Sequence, residues 1–283
     1  MQINKPLTAF ISLFLIPFSS FSQSPAGKLF IIGGGDRPPA LMEALVKEAG
    51  FGKNDYAVVL PMSGSNPDTS FYYFKSDWDI ATATPIYNLN FSMLNNTDPK
   101  RLDSLKHAKL VFITGGDQDR FMKSVWNTPV YAAIHEAYQK GATIAGTSAG
   151  AAVMCEHMIT GTQLTDTVYR ATFPRLIQNN VEFKTGLGLI STAIIDQHFI
   201  VRSRYNRLLS AIAAYPALTG IGIDEETAVV VQGNKARVVG LRQVVVFKNP
   251  RKLRITEEKR ISFAAMDFSL FTAGDEFTIT DRN

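Results

Sequence analysis

Short apolar runs alternate along the chain with segments whose apolar residues recur at helical spacing. Runs of strand length occupy Lys28 to Ile32, Tyr56 to Leu60 and Leu110 to Ile113. Pro39 to Ala49 has the helical pattern and is followed by Gly50, a residue type that commonly ends a helix. This alternation predicts βαβ units and an α/β fold with a largely parallel sheet.

The pattern changes from Thr227 onward, where strand-like runs such as TAVVVQ and QVVVFKN are separated by turns. Such runs are typical of antiparallel strands. No internal repeat or linker interrupts the chain. We therefore predict one α/β domain over residues 23–283, with antiparallel strands near its C-terminus.

The composition is that of an ordinary globular protein. With 283 residues, 46% hydrophobic and 19% charged, the chain is not disordered, collagen-like or a coiled coil. Its net charge of +4 is spread along the chain, apart from the mixed segment Lys248 to Arg260, so no nucleic-acid-binding face is expected. Cys155 is the only cysteine, and no histidine has a second ligand at metal-binding spacing. We expect neither a metal nor a cofactor.

The N-terminus has the layout of a secretory signal. Lys5 precedes an uncharged apolar run from Leu7 to Phe18, and Ser20 and Ser22 supply small residues for cleavage. The run is too short to cross a bilayer of about 30 Å as a helix. We predict a signal peptide over residues 1–22 and export to the periplasm or the extracellular space, without a stable membrane anchor.

The first candidate for chemistry is the pentapeptide Gly146-Thr147-Ser148-Ala149-Gly150. It follows the strand-like Ala142 to Ala145 and precedes a predicted helix from Ala151 to His157. A sharp turn between a strand and a helix exposes a serine hydroxyl, so Ser148 is a candidate nucleophile. Cys155 is expected two turns along the same helix, as a buried apolar residue and not a reactive thiol.

A serine nucleophile needs a base, and the chain has four histidines. His107 and His135 lie in polar helical segments, and His157 ends the helix predicted after the nucleophile. His198 instead follows the apolar run Ala193 to Ile195, at the carboxyl end of a predicted strand. Open α/β sheets place ligand sites at that edge, so His198 is the candidate base.

A carboxylate should orient the base. The strand-like Gly220 to Ile223 ends in three successive acids, Asp224, Glu225 and Glu226. Residue types and spacing do not choose among them, because triads are recognised by geometry and not by chain order.

Two glycine-rich turns follow other predicted strands. Gly115-Gly116 could bring its backbone N–H groups close to a substrate, with the N–H of Ala149 as the usual second oxyanion donor. Gly33-Gly34-Gly35 is only superficially a dinucleotide loop, because Pro38 occupies the position of its third glycine. Nucleotide binding is not expected.

Together these segments resemble the cyanophycinase group of serine peptidases, relatives of aspartyl dipeptidase in the class-I glutamine-amidotransferase-like superfamily. The resemblance covers most of the chain after the signal peptide. Four motifs in the same order carry it: Phe112-Ile113-Thr114-Gly115-Gly116-Asp117-Gln118, Gly146-Thr147-Ser148-Ala149-Gly150-Ala151, Asp196-Gln197-His198-Phe199 with Arg202, Arg204 and Arg207, and Gly222-Ile223-Asp224-Glu225-Glu226-Thr227-Ala228.

The resemblance implies a role for each of these residues. Ser148 would be the nucleophile, His198 the base and Glu225 the orienting acid, with oxyanion N–H groups from Gly116 and Ala149. The residues implied to bind substrate are Gln118, Asp196, Gln197, Arg202, Arg204 and Arg207. Arginine forks bind carboxylates, and Asp196 could pair with a substrate guanidinium or amine.

The implied fold is a three-layer sandwich, flavodoxin-like, with a mainly parallel central sheet. The implied reaction is hydrolysis of cyanophycin, a poly-aspartate with arginine on each side chain, to β-Asp-Arg dipeptides through an acyl-enzyme. A homodimer is also implied. Two alternatives stay open: a peptidase for other isoaspartyl or Asp-containing peptides, and an inactive homologue that only binds peptides.

Overall fold

The structure, a computed structural model, describes residues 25–165, 168 and 172–280. The predicted signal peptide lies outside the described residues. All strands and helices within them follow, in chain order. The strands are β1 (Lys28–Ile32), β2 (Ala57–Leu60), β3 (Ile86–Asn88), β4 (Leu110–Ile113), β5 (Thr143–Thr147), β6 (His157–Gln163), β7 (Val181–Thr185), β8 (Ala193–Gln197), β9 (Thr219–Ile223), β10 (Thr227–Gln232), β11 (Lys235–Gly240), β12 (Val244–Arg251), β13 (Arg254–Ile255), β14 (Ile261–Ser262), β15 (Ala265–Phe271) and β16 (Glu276–Thr278). The helices are α1 (Pro39–Ala49), α2 (Pro67–Ala81), α3 (Pro99–Lys106), α4 (Gln118–Val125), α5 (Pro129–Gln139), α6 (Ala149–Ala152) and α7 (Tyr205–Ala214).

The central sheet has eight strands in the order β16-β11-β10-β1-β5-β4-β2-β3. The five strands from β1 to β3 in this order run parallel, and β10, β11 and β16 add an antiparallel edge. The predicted α/β fold with a mainly parallel sheet is therefore confirmed. Local signals account for the agreement, since α1 ends at Gly50 in the left-handed conformation (φ 63°), as the sequence predicts.

Alternate residues of the buried strands face two different cores. Leu29 and Ile31 of β1 pack with side chains of α3, α4 and α5, whereas Phe30 and Ile32 pack with α1 and α2. Because side chains alternate across a strand, a strand that is apolar at every position is covered on both faces. This produces the layers of the sandwich.

A second sheet of four strands, β15-β12-β9-β8, changes the expected picture of the C-terminal region. The strands after Thr227 were expected to finish one edge, but β12 and β15 join this second sheet instead. One of its faces packs on the core of the central sheet through Ile195, Ile221 and Ile223, and the other packs on α7. Strands β8 and β9 are parallel, so their carboxyl ends lie side by side.

Candidate active site

The candidate site lies where the carboxyl ends of strands from the two sheets meet. Ser148 follows β5 of the central sheet, whereas His198 and Glu225 follow β8 and β9 of the second sheet. The glycine turn after β1 joins the two sides: the His198 N–H donates to the Gly33 carbonyl (2.7 Å) and the Glu226 N–H to the Gly34 carbonyl (2.9 Å). The site is therefore held by backbone hydrogen bonds across the two sheets.

Ser148 sits at a strained turn. Its backbone has φ 52° and ψ −108°, a region that non-glycine residues rarely occupy, and its N–H donates to the Ile32 carbonyl at 3.1 Å. The flanking glycines are needed for space: a Cβ on Gly146 would lie 2.4 Å from the Gly150 carbonyl oxygen, and one on Gly150 would lie 2.2 Å from that of Ile113. Sterics thus explain the spacing of glycine and serine in this motif.

The helix after Ser148 is much shorter than predicted. It spans only Ala149–Ala152, so the expectation of a helix from Ala151 to His157 is wrong. Cys155 lies beyond its end, and His157 begins β6. Cys155 is nevertheless buried, as expected, and burial raises the pKa of its thiol to about 12. The apolar side chains in this segment pack into the core from a turn, and apolar spacing alone does not distinguish the two conformations.

Ser148, His198 and Glu225 form a continuous chain of hydrogen bonds. Ser148 Oγ lies 2.8 Å from His198 Nε2, and His198 Nδ1 lies 2.6 Å from Glu225 Oε1. A carboxylate only accepts hydrogen bonds, so Nδ1 carries the proton and donates it to Glu225. Nε2 is then free to accept the Ser148 hydroxyl proton, which is the arrangement a nucleophile and its base require.

The environment favours the neutral form of His198. Burial lowers the pKa of the imidazole below its usual value, and the nearby positive charges of Arg202 and Arg204 act in the same direction. The hydrogen bond that His198 donates to Glu225 opposes this effect but does not cancel it. A neutral imidazole is the form that accepts a proton.

The three acids left open by the sequence make different hydrogen bonds, and Arg242 lies near two of them, Asp224 and Glu226. Only Glu225 contacts the imidazole. Asp224 is buried and accepts hydrogen bonds from the backbone N–H groups of Ile200 and Val201, both at 3.0 Å. Glu226 accepts a hydrogen bond from Arg242 at 3.2 Å. Two of the three acids therefore shape the loops around the site.

The expected oxyanion donors lie beside the serine. A Cβ on Gly115 would be 3.6 Å from Ser148 Cβ, so the Gly115-Gly116 turn faces the turn that carries Ser148. Within residues 25–165, 168 and 172–280, the N–H groups of Gly116 and Ala149 donate to no protein acceptor. Backbone N–H groups free to bind a substrate oxygen are what an oxyanion hole requires.

An open cavity of about 380 Å³ extends from Ser148 toward three arginines. Five of the six residues expected to bind substrate line it: Gln118, Gln197, Arg202, Arg204 and Arg207. We call it the arginine-lined pocket.

Asp196 differs from the expectation. It is completely buried behind the pocket and is not among the residues that line it. Arg207 donates to it through Nε (2.8 Å) and also through Nη2, and Arg204 Nη1 lies 3.7 Å away. The Asp196 carboxylate therefore pairs with Arg207 and lies close to Arg204. It positions these arginines instead of pairing with a substrate cation. Counting the neighbouring charges in the sequence could not reveal which partner the carboxylate takes.

Strand β6 forms a wall of this pocket that sequence reasoning missed. Thr160, Gly161, Thr162 and Gln163 line it, and Gln118 Nε2 fixes the strand by donating to the carbonyls of Ile159 (3.0 Å) and Thr160 (2.7 Å). Gln163 is buried, and both its amide oxygen and its amide nitrogen lack a partner among the described residues. A run of polar residues in a strand-like segment was the only signal available.

The glycine turn after β1 was also missed as part of the site. A Cβ on Gly34 would lie 2.2 Å from His198 Cε1, and its φ of 114° is one that other residues avoid. The turn lets the imidazole lie against the backbone. Its glycines serve close approach of a side chain and not of a nucleotide.

The described residues contain neither a metal-binding cluster nor a membrane-spanning helix. No group of three or more His, Cys, Asp or Glu side chains there could hold a metal ion. No helix in the same part of the chain is long and apolar enough to cross a membrane.

Comparison with known proteins identifies the family. Residues 31–239 match the model of peptidase family S51. The chain belongs to peptidase family S51. Among curated proteins, it is 42% identical over 187 residues to a cyanophycinase of Trichormus variabilis, covering 63% of this chain and 60% of that protein. It is 30% identical over 268 residues to a cyanophycinase of Synechococcus elongatus, covering 90% and 80%.

This S51 chain also resembles more distant proteins. A probable alpha-aspartyl dipeptidase of Drosophila melanogaster is 27% identical over 154 residues, covering 54% of this chain and 62% of that protein. The crystal structure of a peptidase from an acI-B1 Actinobacterium has a TM-score of 0.63 and 21% identity, covering 89% of this chain and 96% of that one. That structure supports the fold.

Proposed function

We propose that this S51 chain is a serine peptidase that hydrolyses cyanophycin to β-Asp-Arg dipeptides. One observation carries the proposal: Ser148, His198 and Glu225 are hydrogen-bonded in sequence at the mouth of an arginine-lined pocket. Its similarity to two cyanophycinases supports the choice of substrate.

The first half of the reaction forms an ester on Ser148. Its Oγ attacks the carbonyl carbon of the scissile peptide bond while its proton passes to His198 Nε2. The N–H groups of Gly116 and Ala149 would then stabilise the negative oxygen. When the C–N bond breaks, His198 gives this proton to the leaving amine, and the acyl group stays on the serine.

The second half returns the enzyme to its starting state. Water takes the place of the departed amine, and His198 accepts one of its protons as it attacks the ester carbonyl. The bond to Ser148 Oγ breaks, and the serine recovers its proton from the histidine. Glu225 stabilises the imidazolium in both halves, so one peptide bond and one water become a carboxylic acid and an amine.

The chemistry of the pocket suits a β-Asp-Arg unit. The arginine of that unit carries an α-carboxylate, which the guanidinium groups of Arg202, Arg204 and Arg207 could bind. Its own guanidinium needs acceptors, and the unpartnered amide oxygens of Gln163 and Gln197 lie in the same pocket. The pocket thus offers groups for both ends of the unit.

Mass spectrometry of the products tests the proposal. Purified cyanophycin is incubated with the wild type, with Ser148→Ala and with Ser76→Ala, an exposed serine that serves as the matched control. We expect β-Asp-Arg from the wild type and the control only. A fluorophosphonate probe should label the same two proteins. Release of dipeptide by Ser148→Ala would refute the assignment of the nucleophile.

The same assay separates the alternatives. Labelling of Ser148 without release of β-Asp-Arg would favour a peptidase for other Asp-containing peptides, a possibility supported by the similarity to a probable alpha-aspartyl dipeptidase. Absence of both labelling and products would leave a homologue that only binds peptides.

We further propose that the protein is exported after cleavage behind Ser22 and forms a homodimer. The apolar run from Leu7 to Phe18 after Lys5 supports export, and the family resemblance supports the dimer. N-terminal sequencing of the exported protein should begin at Gln23, and light scattering should give twice the chain mass. Retention in the cytoplasm or a monomeric mass would remove the corresponding part of the proposal.

A further inference from the structure

A second open cavity, of about 290 Å³, adjoins the candidate nucleophile. Ser148, His198 and Gly116 line both this cavity and the arginine-lined pocket. The second cavity is otherwise walled by different residues, among them Arg37, Tyr73, Phe74, Thr114 and Thr147. We call it the α2-side cavity, because Tyr73 and Phe74 belong to α2.

A peptidase must accommodate the chain on both sides of the bond it cuts. In the proposed function the β-Asp-Arg unit that becomes the acyl group occupies the arginine-lined pocket. The amine that leaves must also lie within reach of His198, which supplies its proton. The α2-side cavity reaches the same imidazole and serine from its own set of walls, so it offers a separate place for the leaving residue.

Arg37 is fixed in the wall of this cavity. Its side chain is only 6% exposed, and its Nε donates to Asp77 Oδ2 at 2.8 Å. Its guanidinium carbon lies 4.9 Å from the centre of the Tyr73 ring and 5.8 Å from that of Phe74. The ion pair and the two rings hold the planar group in one orientation, which is what a recognition site requires.

Several polar atoms of this wall make no hydrogen bond to the described residues. Arg37 Nη2 forms an ion pair at 2.7 Å with the Asp77 oxygen that Nε already uses, but no hydrogen bond. The hydroxyls of Thr114 and Thr147, both more than nine-tenths buried, also have no partner. Unpaired buried donors are unfavourable, so the wall is suited to a ligand that brings oxygen acceptors.

We propose that the α2-side cavity binds the leaving residue and that Arg37 recognises a carboxylate on it. No Asp or Glu lines the cavity; Asp77, the ion-pair partner of Arg37, lies outside the lining. A guanidinium ligand would instead face the Arg37 cation and leave its donors unpaired. The inference rests on the proposed function, because it needs the acyl unit in the arginine-lined pocket.

The test uses dimers of β-Asp-Arg, which contain a single backbone peptide bond. The leaving unit of such a dimer has two carboxylates, one on the backbone and one on its arginine. Three dimers are compared. One is unmodified, one has the backbone carboxylate of the leaving unit replaced by a carboxamide, and one has the carboxylate of the leaving unit's arginine replaced by a carboxamide. The measured quantity is kcat/KM for the wild type, Arg37→Gln, Arg37→Lys and the control Arg202→Gln, which alters the other pocket.

We expect one of the two carboxamides to lower wild-type kcat/KM by about tenfold or more, as the loss of a charge-assisted hydrogen bond should. The carboxamide that does so identifies which carboxylate Arg37 contacts. In Arg37→Gln, the kcat/KM of the unmodified dimer and that of this carboxamide should differ by no more than about twofold. Arg37→Lys keeps the charge and should retain part of the preference. Arg202→Gln should lower kcat/KM for all three dimers alike and so keep the wild-type preference for the unmodified dimer.

The inference is overturned if the wild type cleaves all three dimers equally well, or if Arg37→Gln keeps the full preference. Release of β-Asp-Arg from the polymer without cleavage of any dimer overturns it too, because the unmodified dimer already contains the leaving residue. Failure to release β-Asp-Arg from the polymer would show instead that the proposed function is wrong. Labelling of Arg37→Gln at the wild-type level shows that this variant is folded.

Discussion

Replacing Asp196 by asparagine removes a buried charge while hardly changing the size of the side chain. The carboxylate is fully buried, and it accepts two hydrogen bonds from Arg207. Arg204 lies close to the same carboxylate, and both arginine side chains are nearly buried. In Asp196→Asn, two guanidinium groups in the wall of the arginine-lined pocket would lose their counter-charge.

The expected cost follows from this burial. Breaking a buried ion pair by removing one partner costs about 3–5 kcal/mol, because the remaining charge is left uncompensated. The exposed pair between Lys75 and Asp79 on α2 provides the comparison. Asp79→Asn should cost less than about 1 kcal/mol, since water solvates the lysine once its partner is gone.

Urea unfolding followed by circular dichroism measures both losses as free energies of unfolding. The double variant Asp196→Asn, Arg207→Met should be at least about 1 kcal/mol more stable than the sum of the two single losses predicts. The reason is that the guanidinium most closely paired with Asp196 is then absent and is not left buried without a counter-charge. The reasoning is refuted if Asp196→Asn costs no more than Asp79→Asn. It is also refuted if the double variant is less stable than the sum of the two single losses.

Further predictions concern the site and the buried thiol near it. Glu225→Gln should lower kcat by about 10⁴-fold, the loss seen when the orienting carboxylate of a serine triad becomes an amide, whereas Glu226→Gln should keep the wild-type kcat. An equal effect of both variants would contradict the geometry. Gly34→Ala should lower kcat by about 100-fold by pushing the His198 ring aside, with steady-state kinetics as the measurement and normal activity as the contrary result. The acid limb of kcat/KM should lie below pH 6.5, because burial lowers the pKa of His198; a limb above that pH would oppose this. Because the unfolded chain holds this proton more tightly, the same shift makes the protein more stable as the pH rises toward 6.5 and less stable as the pH falls. Iodoacetamide should modify Cys155 only after unfolding, and rapid labelling of the native protein would be inconsistent with a thiol whose burial raises its pKa to about 12.

Local signals explain why much of the fold could be predicted. A short apolar run bounded by turn residues favours a buried strand, and β1 and β4 have the predicted limits. The predicted end of β9 at Ile223 is confirmed, whereas β5 and β8 continue past the predicted Ala145 and Ile195 to Thr147 and Gln197. Ser148, His198 and the three acids nevertheless follow these strands directly, as expected. Where a local signal was ambiguous, the prediction failed: the apolar segment after Ser148 fits either a helix or a packed turn, and it is mostly a turn.

The sequence by itself determined which residues stand at the ends of strands, because strand limits and turn chemistry depend on near neighbours. Only the tertiary structure decided that Ser148 comes from one sheet and His198 and Glu225 from another. It also decided that Glu225 faces the imidazole, that Asp196 is turned behind the pocket, and that the glycine turn after β1 supports the base. These are contacts between distant parts of the chain, and a carboxylate takes whichever cation the packed fold brings nearest.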